Sequence, residues 1–180
     1  MPINEPKHRR QPSARHRAAL LLCLVVSLAL PRVAASAPIA WANAVSGNWN
    51  VPGNWNPPTA VPGQTDDVQI ALPGTYTVTL DVDAKIKSLT LGGSSGTQTL
   101  ASATNTLNLV ALSTVGTHGV VELAGGTLTA DLLTVNGAFH WTGGTMDGGK
   151  TTTIAAGATL TISGGAAVKS LKGRTIDNMG

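Results

Sequence analysis

Asp66 and Asp67 are adjacent carboxylates, and Asp81 and Asp83 lie two apart on one face of an alternating stretch. Carboxylates so spaced can serve as general acids and bases or ligate a hard cation such as calcium. Both pairs also have a plainer use. Asp66-Asp67 precede an apolar run, where aspartate commonly shapes a turn. Asp81 and Asp83 share a threonine-rich face that water would solvate. We read both pairs as structural. Gly143-Gly144-Thr145-Met146-Asp147-Gly148-Gly149 has the composition of a calcium-binding glycine–aspartate repeat, yet it occurs once, with its aspartate off the nonapeptide register. His118 and His140 are 22 residues apart and would stack if one coil had that length, but no further ligands complete a metal site. His140, Trp141 and Asp147 form the candidate ligand patch. There is no G-x-S-x-G, H-E-x-x-H or P-loop, and the single cysteine is Cys23. No catalytic residue, metal site or cofactor is therefore predicted, and the chain is read as no enzyme.

The elements that would hold these residues are strands. Of 180 residues, 21 are glycine, and only 12% are charged and 3% aromatic. Average usage is about 25% charged and about 7% glycine. With 42% apolar residues the chain still has the means to build a core. Thr75 to Asp83 reads T-Y-T-V-T-L-D-V-D, so Tyr76, Val78, Leu80 and Val82 face one side of a half-buried strand. Shorter strands are predicted at 67–71, 86–91, 106–110, 120–123, 132–135, 139–141, 152–154 and 159–162. Glycine and Asn-Gly turns separate many of them. L-A-G-G-T-L at Leu123–Leu128 recurs as W-T-G-G-T-M at Trp141–Met146, offset by 18. Val135-Asn136-Gly137-Ala138 answers Ala155-Ala156-Gly157-Ala158, offset by 20. A drifting period near 20 with tight glycine turns predicts an all-β, right-handed parallel β-helix (β-solenoid) of roughly five coils over 74–180. The rival arrangement is a β-sandwich, whose turn signals recur every 8–12 residues.

The chain opens differently. A basic stretch to Arg17 is followed by the apolar run Ala18 to Leu30, then Pro31 and small residues. This is the order of a secretory signal peptide, and the expected cut is after Ala35. Thirteen helical residues span roughly 20 Å, short of a bilayer core of about 30 Å, so no stable membrane span is expected after cleavage. Arg9-Arg10 lacks the apolar residues of a twin-arginine signal, and Cys23 lies inside the apolar run, unlike a lipoprotein cysteine. Cleavage would leave a mature chain without cysteine, hence without disulfides or thiolate sites. Residues 1–35 carry a net charge of +5 and residues 36–180 a net of −2, so the basic balance belongs to the signal and points to no nucleic acid.

Residues 36–73 hold three of the four tryptophans and turn-forming prolines; all ten prolines lie at or before Pro73. Here Trp41 is followed by G-N-W-N at 47–50, G-N-W-N at 53–56, Val61-Pro62-Gly63 and Asp66-Asp67-Val68-Gln69-Ile70. T-Y-T-V-T-L and Lys87-Ser88-Leu89-Thr90-Leu91-Gly92 come next. The run resembles the opening module of large secreted bacterial surface proteins, autotransporter-like or PEP-CTERM-type, which continue into a parallel β-helix. The resemblance covers 41–93 by sequence and 94–180 by repeat style. It implies a secreted, extracellular or cell-surface location and a solenoid architecture; a structural or adhesive role, with extracellular glycans or cell-surface components as partners, is the expectation for the chain. Trp41, Trp49 and Trp55 are expected to cap the first coil, with stacking on sugar rings as the alternative. The alternatives for the whole chain are a carbohydrate-binding module or part of a polysaccharide-degrading β-helix enzyme. The closing residues K-G-R-T-I-D-N-M-G begin a strand-like step with no charged or aromatic cover, so the chain is expected to be a fragment.

Overall fold

A computed structural model describes residues 37–180. The expected signal peptide, its cut after Ala35 and Cys23 lie outside the described residues.

The described chain is a parallel β-solenoid of five complete coils, each made of three strands. Ahead of the coils stand β1 (Ile39–Trp41), β2 (Gly47–Asn48), a 3-10 turn at Pro52–Asn54, and β3 (Trp55–Asn56). Coil 1 is β4 (Asp67–Ile70), β5 (Gly74–Thr79) and β6 (Ala84–Ile86). Coil 2 is β7 (Ser88–Leu91), β8 (Gly96–Ser102) and β9 (Thr106–Leu109). Coil 3 is β10 (Ser113–Val115), β11 (Gly119–Leu123) and β12 (Thr127–Ala130). Coil 4 is β13 (Leu133–Val135), β14 (Ala138–Trp141) and β15 (Gly144–Asp147). Coil 5 is β16 (Thr151–Ile154), β17 (Thr159–Ile162) and β18 (Lys169–Lys172), and β19 (Thr175–Asn178) starts the next turn.

The first strands of successive coils stack into sheet A, the second into sheet B and the third into sheet C. Among the described residues every strand pair is parallel except β1 with β3. That rules out the sandwich, whose sheets are built of antiparallel pairs.

Strand periodicity explains the core. Alternate residues point inward, and stacking puts like upon like. On sheet A, Ile70, Leu91, Val115, Val135 and Ile154 form one buried column. On sheet B the column is Val78, Leu100, Val121 and Phe139. Each coil alone would leave its row half in water. Stacking removes that area at roughly 25 cal/mol per Å².

The 18-residue repeat is a true rung-to-rung match, since Leu123 pairs with Trp141, Thr127 with Thr145 and Leu128 with Met146. Its glycines turn the corner from sheet B to sheet C. Gly126 and Gly144 have φ of +68° and +80°, and a Cβ on Gly144 would lie 2.6 Å from the Gly126 carbonyl oxygen. The 20-residue offset needs correction. Val135 pairs with Ile154 rather than Ala155, and Ala138 with Thr159 rather than Ala158. The corner of coil 5 is longer than that of coil 4, so one offset cannot serve both sides of it.

Two other differences have plain causes. The predicted strand 86–91 is two strands with a corner at Lys87, where the alternation breaks: the buried Ile86 and Leu89 stand three residues apart, out of the two-residue step of a single strand. The longest strand, β8, escaped prediction because Gln98 and Ser102 occupy inward positions. Gln98 is satisfied there: its amide nitrogen donates to the carbonyls of Gly74 and Ser95, and its oxygen accepts from the Gly93 N–H.

The three N-terminal tryptophans are buried over the start of the core. Trp55 packs edge-on against Trp41 at 4.9 Å and against Trp49 at 4.7 Å between ring centroids. Antiparallel pairing of β1 with β3 sets Trp41 opposite Trp55. The indole N–H of Trp41 donates to the Val45 carbonyl at 3.1 Å, and that of Trp55 to the Trp49 carbonyl at 2.8 Å. The tandem G-N-W-N folds on itself through Asn54, whose amide donates to the Asn48 carbonyl at 2.9 Å.

At the other end the inward row thins. Ile162 is 55% exposed and Leu171 45% exposed. Arg174, unremarked in the sequence, is only 5% exposed and sits in the turn between β18 and β19.

Candidate functional site

The four N-terminal aspartates are all engaged as hydrogen-bond acceptors. Asp66 takes the Gly63 N–H at 2.7 Å while its own N–H donates to the Gly63 carbonyl at 3.0 Å, closing the turn that enters β4. Asp67 accepts from Lys87 Nζ at 2.7 Å and from the Ser88 hydroxyl at 2.5 Å, linking coil 1 to coil 2. The Lys87 hydrogen bond first, then that of Ser88, hold the Asp67 carboxyl below its ordinary pKa, against a smaller opposing effect of desolvation. Asp81 accepts the Asn50 N–H at 2.8 Å and so ties the tryptophan segment to coil 1. Asp83 accepts the Thr106 N–H at 2.7 Å, joining coil 1 to coil 2.

The predicted ligand patch does not assemble. His140 and Trp141 are neighbours on β14 and therefore face opposite sides of sheet B. Trp141 points inward, is 4% exposed, and donates its indole N–H to the Gly144 carbonyl at 3.3 Å. A ligand outside cannot reach its ring. His140 points outward, with Nδ1 3.9 Å from Glu122 on the next rung. Asp147 is on sheet C, where its carboxylate accepts the Gly148 N–H at 2.6 Å.

His118 does not stack on His140. It sits in the corner before β11, with Nδ1 2.9 Å from the Gly96 carbonyl oxygen. No group of three or more His, Cys, Asp or Glu side chains able to hold a metal ion occurs among the described residues. No helix among them is long and apolar enough to cross a membrane.

A different feature stands out at the corner between sheets A and B. Coil 4 turns this corner with Asn136 and Gly137 alone, between Val135 and Ala138. Coil 3 needs Gly116, Thr117 and His118, and coil 5 needs residues 155–158. The short corner lies recessed between longer ones. The result is a groove of about 340 Å³ whose lining reaches from coil 2 to coil 5. Gly137 belongs at its floor for a steric reason: a Cβ there would run into the carbonyl oxygens of Gly116 and Gly119. The polar residues lining the groove are Thr97, Thr117, His118, Asn136 and Thr159. None of these drew notice in the sequence apart from His118, and Asn136-Gly137 read only as a turn. The signal was the inequality of corner lengths, which is visible once the register of every strand is known.

Fold and groove thus define a parallel β-solenoid with a polar corner cleft. No family model, no curated protein and no solved structure matches the chain.

Proposed function

We propose that this chain is a structural, adhesion-type solenoid that works outside the cell or at a bacterial surface and performs no catalysis of its own. One observation carries the reading. The carboxylates best placed by spacing for chemistry, Asp66, Asp67, Asp81 and Asp83, each hold a turn, bind one coil to another or tie the tryptophan segment to coil 1. A polysaccharide-cleaving solenoid needs acids directed at a substrate in an open cleft. The groove described above is lined by no Asp or Glu.

The basic, apolar and small-residue order of the first 35 residues supports export through a cleaved signal, and the resemblance of 41–93 to surface-protein modules supports a surface location. The continuous core suits a rod that sets a spacing and presents its outer faces. Thr90, Thr114, Thr134 and Thr153 stack in register along the outside of sheet A. A β-branched polar ladder of this kind is stable in water without hiding its hydroxyls.

Two measurements test the reading. Alkaline phosphatase fused after residue 36 gains activity only when exported, and N-terminal sequencing of the exported full chain is expected to start at residue 36. Incubating the full chain with pectate, xylan and alginate is expected to release no reducing ends. A cytoplasmic, uncleaved product or steady release of oligosaccharides would overturn the proposal.

A further inference from the structure

We infer that the corner groove between sheets A and B is a binding site for an uncharged oligosaccharide laid along the solenoid axis. The inference adds a ligand to the scaffold reading and does not depend on it.

No lining residue is Asp, Glu, Lys or Arg. A phosphate or carboxylate would find no cationic partner, and a metal ion would find one imidazole and no carboxylate. A wholly apolar ligand would cover the threonine hydroxyls without satisfying them.

What the groove offers is neutral hydrogen bonding. The hydroxyls of Thr97, Thr117 and Thr159 can each donate and accept. The Asn136 amide nitrogen leans toward the Val115 carbonyl at 3.4 Å, which leaves its oxygen as an acceptor. In the neutral form of His118 the Nδ1 that meets the Gly96 carbonyl at 2.9 Å carries the hydrogen, because a carbonyl only accepts. Its Nε2 is then the acceptor a ligand would meet. Sugar hydroxyls both donate and accept, and this set answers them in both senses. Val120 and Ala138 add small apolar surfaces that suit the C–H face of a sugar ring.

Geometry sets the ligand's direction. The lining residues come from the same corner of successive coils, and coils stack about 4.8 Å apart along the axis. A linear oligosaccharide lying along the axis would meet a new set of polar groups at each rung. The volume of about 340 Å³ is at the lower end of the usual range for ligand sites, about 300–1,000 Å³.

The test is an amide-resolved NMR titration of the full chain with cellotetraose, mannotetraose and maltotetraose, and with tetragalacturonate as the charged counterpart. At least one neutral sugar is expected to shift the amides of Thr97, residues 117–120 and residues 136–138 together. Thr117→Val and Asn136→Ala are each expected to weaken that binding by about threefold to tenfold, the worth of one hydrogen bond. Thr114→Val, on the outer face of sheet A, is expected to leave it unchanged. The titration of the unaltered chain keeps the inference testable even if a variant misfolds. Absence of shifts at the groove with all three neutral sugars, or shifts there with tetragalacturonate alone, would overturn it. Neither result bears on export or on the lack of turnover, which test the scaffold reading separately.

Discussion

Replacing Arg174 tests how the lower coils hold together. Its Nε donates to the Thr152 hydroxyl at 2.6 Å, one terminal nitrogen to the Thr151 carbonyl at 3.0 Å, and the other to the Ala130 carbonyl, with Asp147 O at 3.5 Å. One guanidinium therefore joins β12, β15 and β16, strands of three successive coils. Burial draws its pKa below the ordinary arginine value, opposed by the negative charge of Asp131, and the group remains charged. Arg174→Ala removes three close charge-assisted hydrogen bonds, each worth about 1.5–3 kcal/mol to the folded state before compensation. It also relieves the desolvation of a buried charge, a penalty of several kcal/mol. The balance is a loss of about 2–4 kcal/mol, because the Thr152 hydroxyl and two carbonyls lose their partner. Arg174→Lys is expected to recover less than half of it, since an ammonium cannot span the fork. Urea unfolding gives the total, and amide hydrogen exchange gives the location. Exchange should accelerate in β16 and β19 well before β7 and β8, as nearest-neighbour coupling in a solenoid requires. A loss below about 0.5 kcal/mol with unchanged exchange in β16 would refute the reasoning.

Trp49 and Trp55 are both buried, yet their indoles are not equivalent. Trp49 Nε1 has no hydrogen-bond partner, so Trp49→Phe is expected to fall within about 1 kcal/mol of the parent, whereas Trp55→Phe orphans the Trp49 carbonyl and should lose about 1–3 kcal/mol in urea unfolding. Phe139 is fully buried between Val121 and Leu160, and Phe139→Ala should destabilise by about 3–5 kcal/mol by the same assay. The lowered pKa of Asp67 means its contribution is full above about pH 4 and is lost as pH falls through the folded value. Because the pair with Lys87 is partly exposed, that contribution is about 0.2–1 kcal/mol, and Asp67→Asn should flatten the acid limb of a pH–stability curve by that much, less in high salt.

The fold was legible where chemistry and period coincide. The repeat L-A-G-G-T-L and W-T-G-G-T-M combines inward apolar residues with Gly126 and Gly144, whose positive φ turns the corner, and it located a true rung match. The segment 86–91 misled because a corner of one residue, Lys87, carries no glycine or proline to mark it, although the inward Ile86 and Leu89 stand three apart and so break the alternation of a single strand. β8 was silent because its inward Gln98 is satisfied by backbone groups from its neighbours, which no local pattern announces. Trp141 was grouped with His140 because the two are adjacent in sequence; alternation on a strand sends adjacent residues to opposite faces. Arg174 read as one cation among polar residues, and its burial follows from carbonyls supplied by residues as distant as Ala130. The groove was the least legible feature, for it arises from a difference in length between corners and not from any one motif.

The claim that the N-terminal acids serve the fold and not a reaction is tested most directly by one triple variant, Asp66→Ala/Asp81→Ala/Asp83→Ala, in which urea unfolding and reducing-end release are measured side by side with the parent. Each substitution removes a carboxylate acceptor from a backbone N–H, at Gly63, Asn50 and Thr106. The account predicts a loss of about 1–3 kcal/mol in stability and no reducing-end release from either protein on pectate, xylan or alginate. Unchanged stability, together with oligosaccharide release by the parent that the triple variant has lost, would contradict it.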